Sequence, residues 1–227
     1  MPTTLPRLEA LPEIFPVFPL SGALLLPGGQ LPLNIFEPRY LAMVEDALAF
    51  GRVFGMIQPD YSQPAGENGP ALFRVGCLGR LTSFSETNDG RYLITLTGVA
   101  RFEIISEAEM RRGYRRVQGD FHRFSDEQHA EHPPVDLGRD ALLAALRHYF
   151  THRGFSANWE MIETMPDPEL ITNLAMVCPF DPLEKQALLE APSLLEQAET
   201  LRTLLQIDTH EPPPAPDAAK PNRRLAS

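Results

Sequence analysis

The hydrophobic pattern of this 227-residue sequence changes period once, and that change limits the folds it can adopt. In the first half apolar residues alternate with polar ones, as in strands that bury one face. In the second half they recur at helical spacing. A polar segment separates the two patterns. The sequence therefore predicts an α+β chain with three successive parts: a β lobe (13–121), a linker (122–136) and a helical lobe (137–208).

The stretch from Phe15 to Gln58 predicts strand, tight turn, strand, helix and strand. We interpret the apolar run 24–26 as the first strand, ended by a Pro-Gly-Gly turn. Residues 31–36 then alternate, and Pro32 favours an edge position because it has no N–H to donate. A helix is expected from Pro38, since proline suits the first helical position.

The rest of the β lobe predicts a small, bent, mostly antiparallel sheet or barrel that carries this one helix. Residues 59–70 have loop composition. Thr87-Asn-Asp-Gly90 has the residues of a hairpin turn. Returning strands are expected between Tyr92 and Ile104, bent at Gly98, with a further strand at 114–121.

Capping residues mark the helices of the helical lobe. A helix is predicted from 137 to 153, ended by Gly154, and Ser156 is expected to cap a short one. Asp167-Pro168 and Asp181-Pro182 each predict an acidic cap before a first-turn proline. Ser193 and Glu196 form a predicted capping box. We expect residues 1–12 to be an extension and 209–227, rich in proline, to be a disordered tail.

Composition limits location and partners. The net charge of −10 disfavours general binding to nucleic acid or to anionic membranes. Cys77 and Cys178 are far apart in the sequence, which favours buried thiols over a disulfide. There is no signal-peptide pattern and no apolar run near the roughly 20 residues of a membrane span. The sequence thus predicts a soluble, cytoplasmic protein.

The sequence contains the motifs Phe18-Pro-Leu20, Leu33-Asn-Ile-Phe-Glu-Pro-Arg-Tyr40 and Asp89-Gly-Arg-Tyr-Leu-Ile-Thr-Leu96. These motifs resemble the Lon protease amino-terminal (substrate-binding) domain family. In the second half Pro168-Glu-Leu-Ile-Thr-Asn-Leu-Ala175 is similar as well. The resemblance covers nearly the whole chain except its ends. It implies a PUA-like (pseudouridine-synthase-and-archaeosine-transglycosylase-like) β barrel followed by a helical bundle, and a role in recognising polypeptides.

The sequence carries no recognisable catalytic set. It has no Gly-x-x-x-x-Gly-Lys-Ser/Thr loop to hold nucleotide phosphates. Its two lysines are Lys185, expected on a solvated helix face, and Lys220 in the tail, so neither suggests a Ser–Lys nucleophile. His148 and His152 share a helix face, and His129 and His132 lie in the linker, but no third ligand accompanies either pair. We expect a stand-alone member without ATPase and protease modules, which is not an enzyme and needs no metal or cofactor.

A binding module for unfolded or tagged polypeptide, or for a protein partner, is our leading hypothesis, with an adaptor or regulator in protein quality control as its role. We expect its site in a cleft between the two lobes. Glu37 and Arg39 could contact a peptide there, or Arg39 could pair with an acid across the lobes, which we favour. The candidate peptide-binding residues are Phe36, Glu37, Arg39, Tyr40, Trp159 and Met161.

The alternative hypothesis is a small RNA-binding protein that uses the PUA-like barrel and an arginine cluster. One basic cluster surrounds an aromatic residue, an arrangement that can hold phosphates and stack on bases. Its members are Arg111, Arg112, Tyr114, Arg115 and Arg116. The acidic balance and the frequent pairing of arginines with neighbouring glutamates count against this alternative, so nucleic acid is not the expected partner.

Overall fold

A computed structural model describes residues 11–128 and 137–208. The strands are β1 (Ile14–Pro19), β2 (Gln30–Ile35), β3 (Val53–Ile57), β4 (Pro59–Asp60), β5 (Ala71–Leu72), β6 (Val75–Glu86), β7 (Tyr92–Arg111) and β8 (Tyr114–Asp120). The helices are α1 (Pro38–Ala49), α2 (Arg139–Arg153), α3 (Trp159–Thr164), α4 (Asp167–Val177), α5 (Pro182–Glu190) and α6 (Leu194–Asp208), and a 3₁₀ segment spans His122–Gln128. The α+β class and the order of its two parts are confirmed.

The six-stranded sheet closes into a barrel because β7 is long enough to pair on both sides. The strand order is β2-β7-β6-β3-β1-β8, and the second half of β7 pairs with β8 as well. All pairings in this sheet are antiparallel except that of β1 with β3. The edge strand β2 pairs with β7 only, so the position inferred from Pro32 is correct.

Three details of the β lobe differ from the sequence prediction. The apolar run 24–26 is buried but is not a strand. The backbone pairing beside it is a single β-bridge, between Pro27 and Gly98 of β7. Residues 92–111 form one continuous strand where we expected separate ones. The loop 59–70 begins with β4, which pairs with β5.

Capping in the helical lobe follows the predicted chemistry at some positions and departs from it at others. Asp181 and Glu184 form the complete capping box of α5, and Gly154 ends α2 in the left-handed conformation. The cap of α3 is Asn158, two residues after the predicted Ser156. Asp167 lies inside the first turn of α4, where it forms an ion pair with Arg139 instead of capping.

One hydrophobic cluster spans both lobes, and a second one lies within the barrel lobe alone. Buried residues of the barrel, such as Phe54 and Leu96, belong to the same cluster as Leu188 and Leu205 of the helices. Helix α5 packs against β6, so the two lobes are in direct contact there. Both Cys77 and Cys178 are buried free thiols, as predicted.

Polar side chains fasten α5 to the barrel. The buried Gln58 amide donates to the Pro182 carbonyl at 2.8 Å, and Gln186 donates to the Val75 carbonyl at 3.1 Å. Arg101 of β7 donates to the carbonyls of Leu189 and Ala191 at the end of α5. Because these bonds are removed from water, losing one partner leaves a buried polar group unsatisfied.

We expect the shared core to make both lobes unfold in one transition. Trp159, the single tryptophan, reports on the helical lobe alone, whereas far-ultraviolet circular dichroism reports on the whole chain. The two signals should give the same thermal midpoint. A circular dichroism curve with two steps, of which tryptophan fluorescence follows only one, would mean that the lobes unfold separately.

Within the two ranges that the structure describes, no helix has both the length and the apolar composition needed to span a bilayer.

Candidate functional site

An open groove of about 420 Å³ lies at the end of the barrel where β1 and β3 finish and β8 begins. Four segments that are distant in sequence form it: the end of β1, the start of α1, the loop between β4 and β5, and the β7–β8 turn. We call it the barrel-end groove. Its lining residues are Pro19, Leu20, Ser21, Arg39, Tyr40, Pro59, Tyr61, Asn68, Pro70, Gly113, Tyr114 and Arg115.

Tyr40 forms part of the groove's apolar surface. It is buried at the start of α1, where its ring lies 4.2 Å from that of Phe18, centre to centre. Burial raises the pKa of its hydroxyl, which the nearby Arg39 partly opposes. The Arg39 guanidinium lies over the Tyr40 ring at 4.6 Å, a cation–π contact.

Arg39 pairs within its own lobe, which differs from the pairing that we favoured. Its guanidinium is 2.9 Å from the Glu37 carboxylate, and both side chains are about half exposed. Such a surface pair contributes little to stability. Arg39 therefore presents an accessible cation to the groove. Phe36, just before the helix, is exposed but does not line the groove.

Arg115 fixes the opposite wall. Its buried guanidinium pairs with Glu107 and donates to the Pro70 carbonyl at 2.6 Å, which holds the end of the loop 59–70 in place. Asn68 of the same loop donates to Glu107 at 3.2 Å. Burial alone would raise the pKa of Glu107, but the hydrogen bonds from Arg115 and Asn68 outweigh it and keep that pKa below its ordinary value.

Most of the basic cluster is paired with acids. Arg111 and Arg112 lie 3.1 and 3.0 Å from Asp46 of α1, and Arg112 also reaches Glu45 at 2.7 Å. The Tyr114 hydroxyl donates to Asp46 at 2.6 Å; burial, together with this bond, raises the pKa of Tyr114 to about 12. Tyr114 thereby becomes a fixed part of the groove. Arg116 is partly buried on β8 and does not line it.

Trp159 and Met161 lie on α3 in the helical lobe, away from the lining of the barrel-end groove. Trp159 packs against Phe150 and under the guanidinium of Arg147, which is 4.2 Å from the ring centre. Met161 is exposed. The structure therefore brings Arg39 and Tyr40 together with Tyr114 and Arg115, residues that we had assigned to two different sites.

Sequence reasoning missed Tyr61 and Asn68, which lie in the loop 59–70. Tyr61 is 74% exposed. A large aromatic residue inside a segment of turn-forming residues was the available signal, because loops so often carry binding residues.

Lys185 is buried, contrary to our prediction of a solvated residue. Only 9% of its surface is exposed, and its ammonium donates to the Gly22 carbonyl at 2.9 Å. Burial lowers its pKa. The contact joins α5 to the segment after β1, so the role that the geometry indicates is structural.

No metal site emerges from the described ranges: they contain no group of three or more histidine, cysteine, aspartate or glutamate residues placed to hold an ion. His148 is exposed on α2. His129 and His132 lie outside the described residues.

A closed barrel with one helix and an open, tyrosine- and proline-lined groove, followed by a helical bundle, gives this chain its α+β architecture. The family model of the ATP-dependent protease La (LON) substrate-binding domain matches residues 14–206. The chain belongs to that family.

Individual relatives agree in fold. A Lon N-terminal domain protein from Xanthomonas campestris has a TM-score of 0.58 at 23% identity, over 84% of this chain and 97% of its own. The N-terminal domain of a Mycobacterium avium complex Lon protease gives 0.62 at 16% identity, over 85% and 97%. Lon protease 2 of Myxococcus xanthus is 24% identical over 87% of this chain. The aligned region is only 24% of that protease's length.

Proposed function

We propose that this chain binds unfolded or extended polypeptide segments and that the barrel-end groove is the binding site. The observation that carries the proposal is the groove's lining, which combines Tyr40, Tyr61 and Tyr114 with three prolines beside the accessible cation of Arg39. The exposed Tyr61 and the partly exposed Pro19 and Pro70 offer rigid apolar surface, and such side chains lose little conformational entropy when a ligand covers them.

The groove is largely pre-formed. The Tyr114–Asp46 hydrogen bond fixes one side, and the Arg115–Glu107 pair with its bond to Pro70 fixes the loop on the other. A site whose walls are already ordered avoids part of the free-energy cost of association. Tyr61 is the most exposed of the three lining tyrosines, so its ring can turn onto a bound ligand.

The pairing of the basic cluster favours polypeptide over RNA. Phosphate binding needs cations that can replace counterions along a backbone. Here Arg111, Arg112 and Arg115 are already paired with Asp46, Glu45 and Glu107. The net charge of −10 for the whole chain also suits a peptide better than a polyanion.

Family membership supports the same ligand class, since the family is described as the substrate-binding domain of an ATP-dependent protease. We extend this to a non-catalytic role as an adaptor or regulator that presents polypeptides to a protease. Adding the purified chain to a Lon-type protease and measuring the degradation rate of an unfolded substrate tests that extension. If the degradation rate did not change at a saturating concentration of the chain, the adaptor or regulator role would be wrong.

Tyr61→Ala and Arg39→Ala are expected to weaken binding of a fluorescent unfolded polypeptide about three- to tenfold without changing the melting temperature. Tyr61 contributes accessible apolar surface, and Arg39 contributes one cation and the stacking over Tyr40. Both are exposed, and the Arg39–Glu37 pair is a surface pair, so stability should change by less than about 0.5 kcal/mol. Fluorescence anisotropy gives the dissociation constants, and a thermal melt checks folding.

Phe84→Ala is the matched control, because Phe84 is an exposed aromatic residue of the same lobe that does not line the groove. A parallel titration with single-stranded RNA at low and moderate salt tests the alternative. If the control weakened peptide binding as much as Tyr61→Ala, the groove assignment would be wrong. Tight RNA binding that falls steeply with salt would replace the polypeptide proposal.

A further inference from the structure

A second groove, on the helical lobe, carries an inference that is independent of the barrel-end groove. It runs along α6 from Glu196 to Leu204, beside the end of α5, and has a volume of about 480 Å³. We call it the α6 groove. Its apolar part consists of the buried Ala191 and Leu204 and the exposed Pro192, and its polar part includes Glu196, Glu199 and Thr203.

The α6 groove is acidic, and its carboxylates can pair with a positively charged ligand. Glu196 and Glu199 are exposed and lie three residues apart on α6, so their carboxylates share one face. Throughout 11–128 and 137–208, neither carboxylate has a cationic partner within ion-pair distance. The next cation along the helix, Arg202, places its guanidinium beside Gly138 at the start of α2 instead.

We propose that residues 220–225 of this same chain, Lys-Pro-Asn-Arg-Arg-Leu, fold back and occupy the α6 groove. This segment carries the three positive charges of Lys220, Arg223 and Arg224, followed by an apolar Leu225. The arginines can pair with Glu196 and Glu199, since a guanidinium donates two parallel hydrogen bonds to a carboxylate. Leu225 then packs against the exposed Pro192 on the apolar side of the groove.

The length of chain after α6 allows this contact. Helix α6 ends at Asp208, which Arg153 holds in place. Glu199 and Glu196 lie nine and twelve residues before that end, or about 14 and 18 Å along the axis at about 1.5 Å per residue. The twelve residues from Asp208 to Lys220 include four prolines and span up to about 37 Å at about 3.1 Å per residue. The difference leaves enough chain for a reversal of direction.

Tethering makes a weak contact sufficient. A segment joined to its site by a short linker has an effective concentration on the order of millimolar. A contact that would dissociate in the millimolar range between separate molecules is therefore populated in the tethered chain. Because the charges lie at the surface, the contact should weaken as salt screens them.

A paramagnetic label at the end of the segment tests the proposal. The native cysteines are buried, so Ser227→Cys provides a single reactive thiol on the full chain. Amide signals of residues 196–204 should lose at least half their intensity with a nitroxide at that thiol. The loss should disappear in R223E/R224E and return when E196K/E199K is combined with it. Reversal of two exposed glutamates elsewhere, E86K/E109K, changes the net charge equally and should leave the broadening intact.

Three results would overturn the proposal. One is the absence of broadening at residues 196–204, and another is broadening that survives R223E/R224E. The third is broadening of the same size in a mixture of isotope-labelled chain without nitroxide and unlabelled chain with it, because the segment would then occupy the groove of a second copy.

Discussion

Replacing Gly98 with alanine is expected to lower the free energy of unfolding by about 3 kcal/mol or more, the largest loss that we anticipate for adding one methyl group. A Cβ at this position would lie 2.0 Å from the Leu26 carbonyl oxygen and 2.6 Å from its carbon. Both are backbone atoms, so no side-chain rotation can relieve the clash. The backbone on either side is held by the Gly28–Gly98 and Gly98–Gly29 hydrogen bonds.

Urea denaturation of the full chain measures this loss, and Gly66→Ala is the control. A Cβ at Gly66 would meet nothing within 4 Å, so that change should leave the midpoint nearly unchanged. If the Gly98→Ala midpoint equalled that of the parent, the segment around Leu26 would be able to move away from β7. A large loss in Gly66→Ala would instead indicate that alanine substitution itself destabilises this lobe.

Gly98 also shows that the sequence did not predict contacts between distant residues. The glycine was identified as a bend in a strand, but its role depends on Leu26, a residue 72 positions earlier that looked like part of another strand. Local chemistry predicted local features well: Pro38 begins α1, Gly90 ends the hairpin turn with a positive φ, and Asp181 caps α5. Each of these depends on neighbours within a few residues.

The candidate groove was predicted only in part for the same reason. Arg39 and Tyr40 stood out because they follow a recognisable helix start. Tyr61 and Pro70 join them only because the barrel closes, which brings the loop 59–70 beside α1 and β8. Lys185 was misjudged because its partner, Gly22, is 163 residues away, and the helical pattern of α5 gives no sign that barrel backbone covers it.

Arg101 is the clearest residue that the sequence did not identify. It is 2% exposed, its guanidinium donates to the Leu189 and Ala191 carbonyls at 2.5 and 2.6 Å, and it lies 3.9 Å from the ring centre of Phe124. Burial lowers its pKa to about 10, so the side chain stays charged at neutral pH. The charge lies against the C-terminal end of α5, where the helix dipole is negative.

Arg101→Ala is expected to destabilise the chain by about 3 kcal/mol, because it leaves two buried carbonyls without donors and opens a cavity. Methionine fills most of the volume of the arginine side chain. Arg101→Met should therefore lower the free energy of unfolding by about 2 kcal/mol, the part that the hydrogen bonds contribute. The shift of the circular dichroism midpoint in urea, compared with the parent's, measures both losses. Arg80→Ala, an exposed arginine on the neighbouring strand β6, should stay within about 0.5 kcal/mol of the parent.

The form of the unfolding curve carries the stronger test. Arg101 joins β7 to α5, so its removal should weaken the contact between the lobes more than it weakens either lobe alone. In Arg101→Ala the fluorescence of Trp159, in the helical lobe, should change at lower urea than the circular dichroism of the whole chain. Coincident curves with an undiminished midpoint would mean that the apolar core holds the lobes together without this cation. If the fluorescence and circular dichroism curves coincided at a lowered midpoint, Arg101 would stabilise the whole chain and not the contact between the lobes in particular.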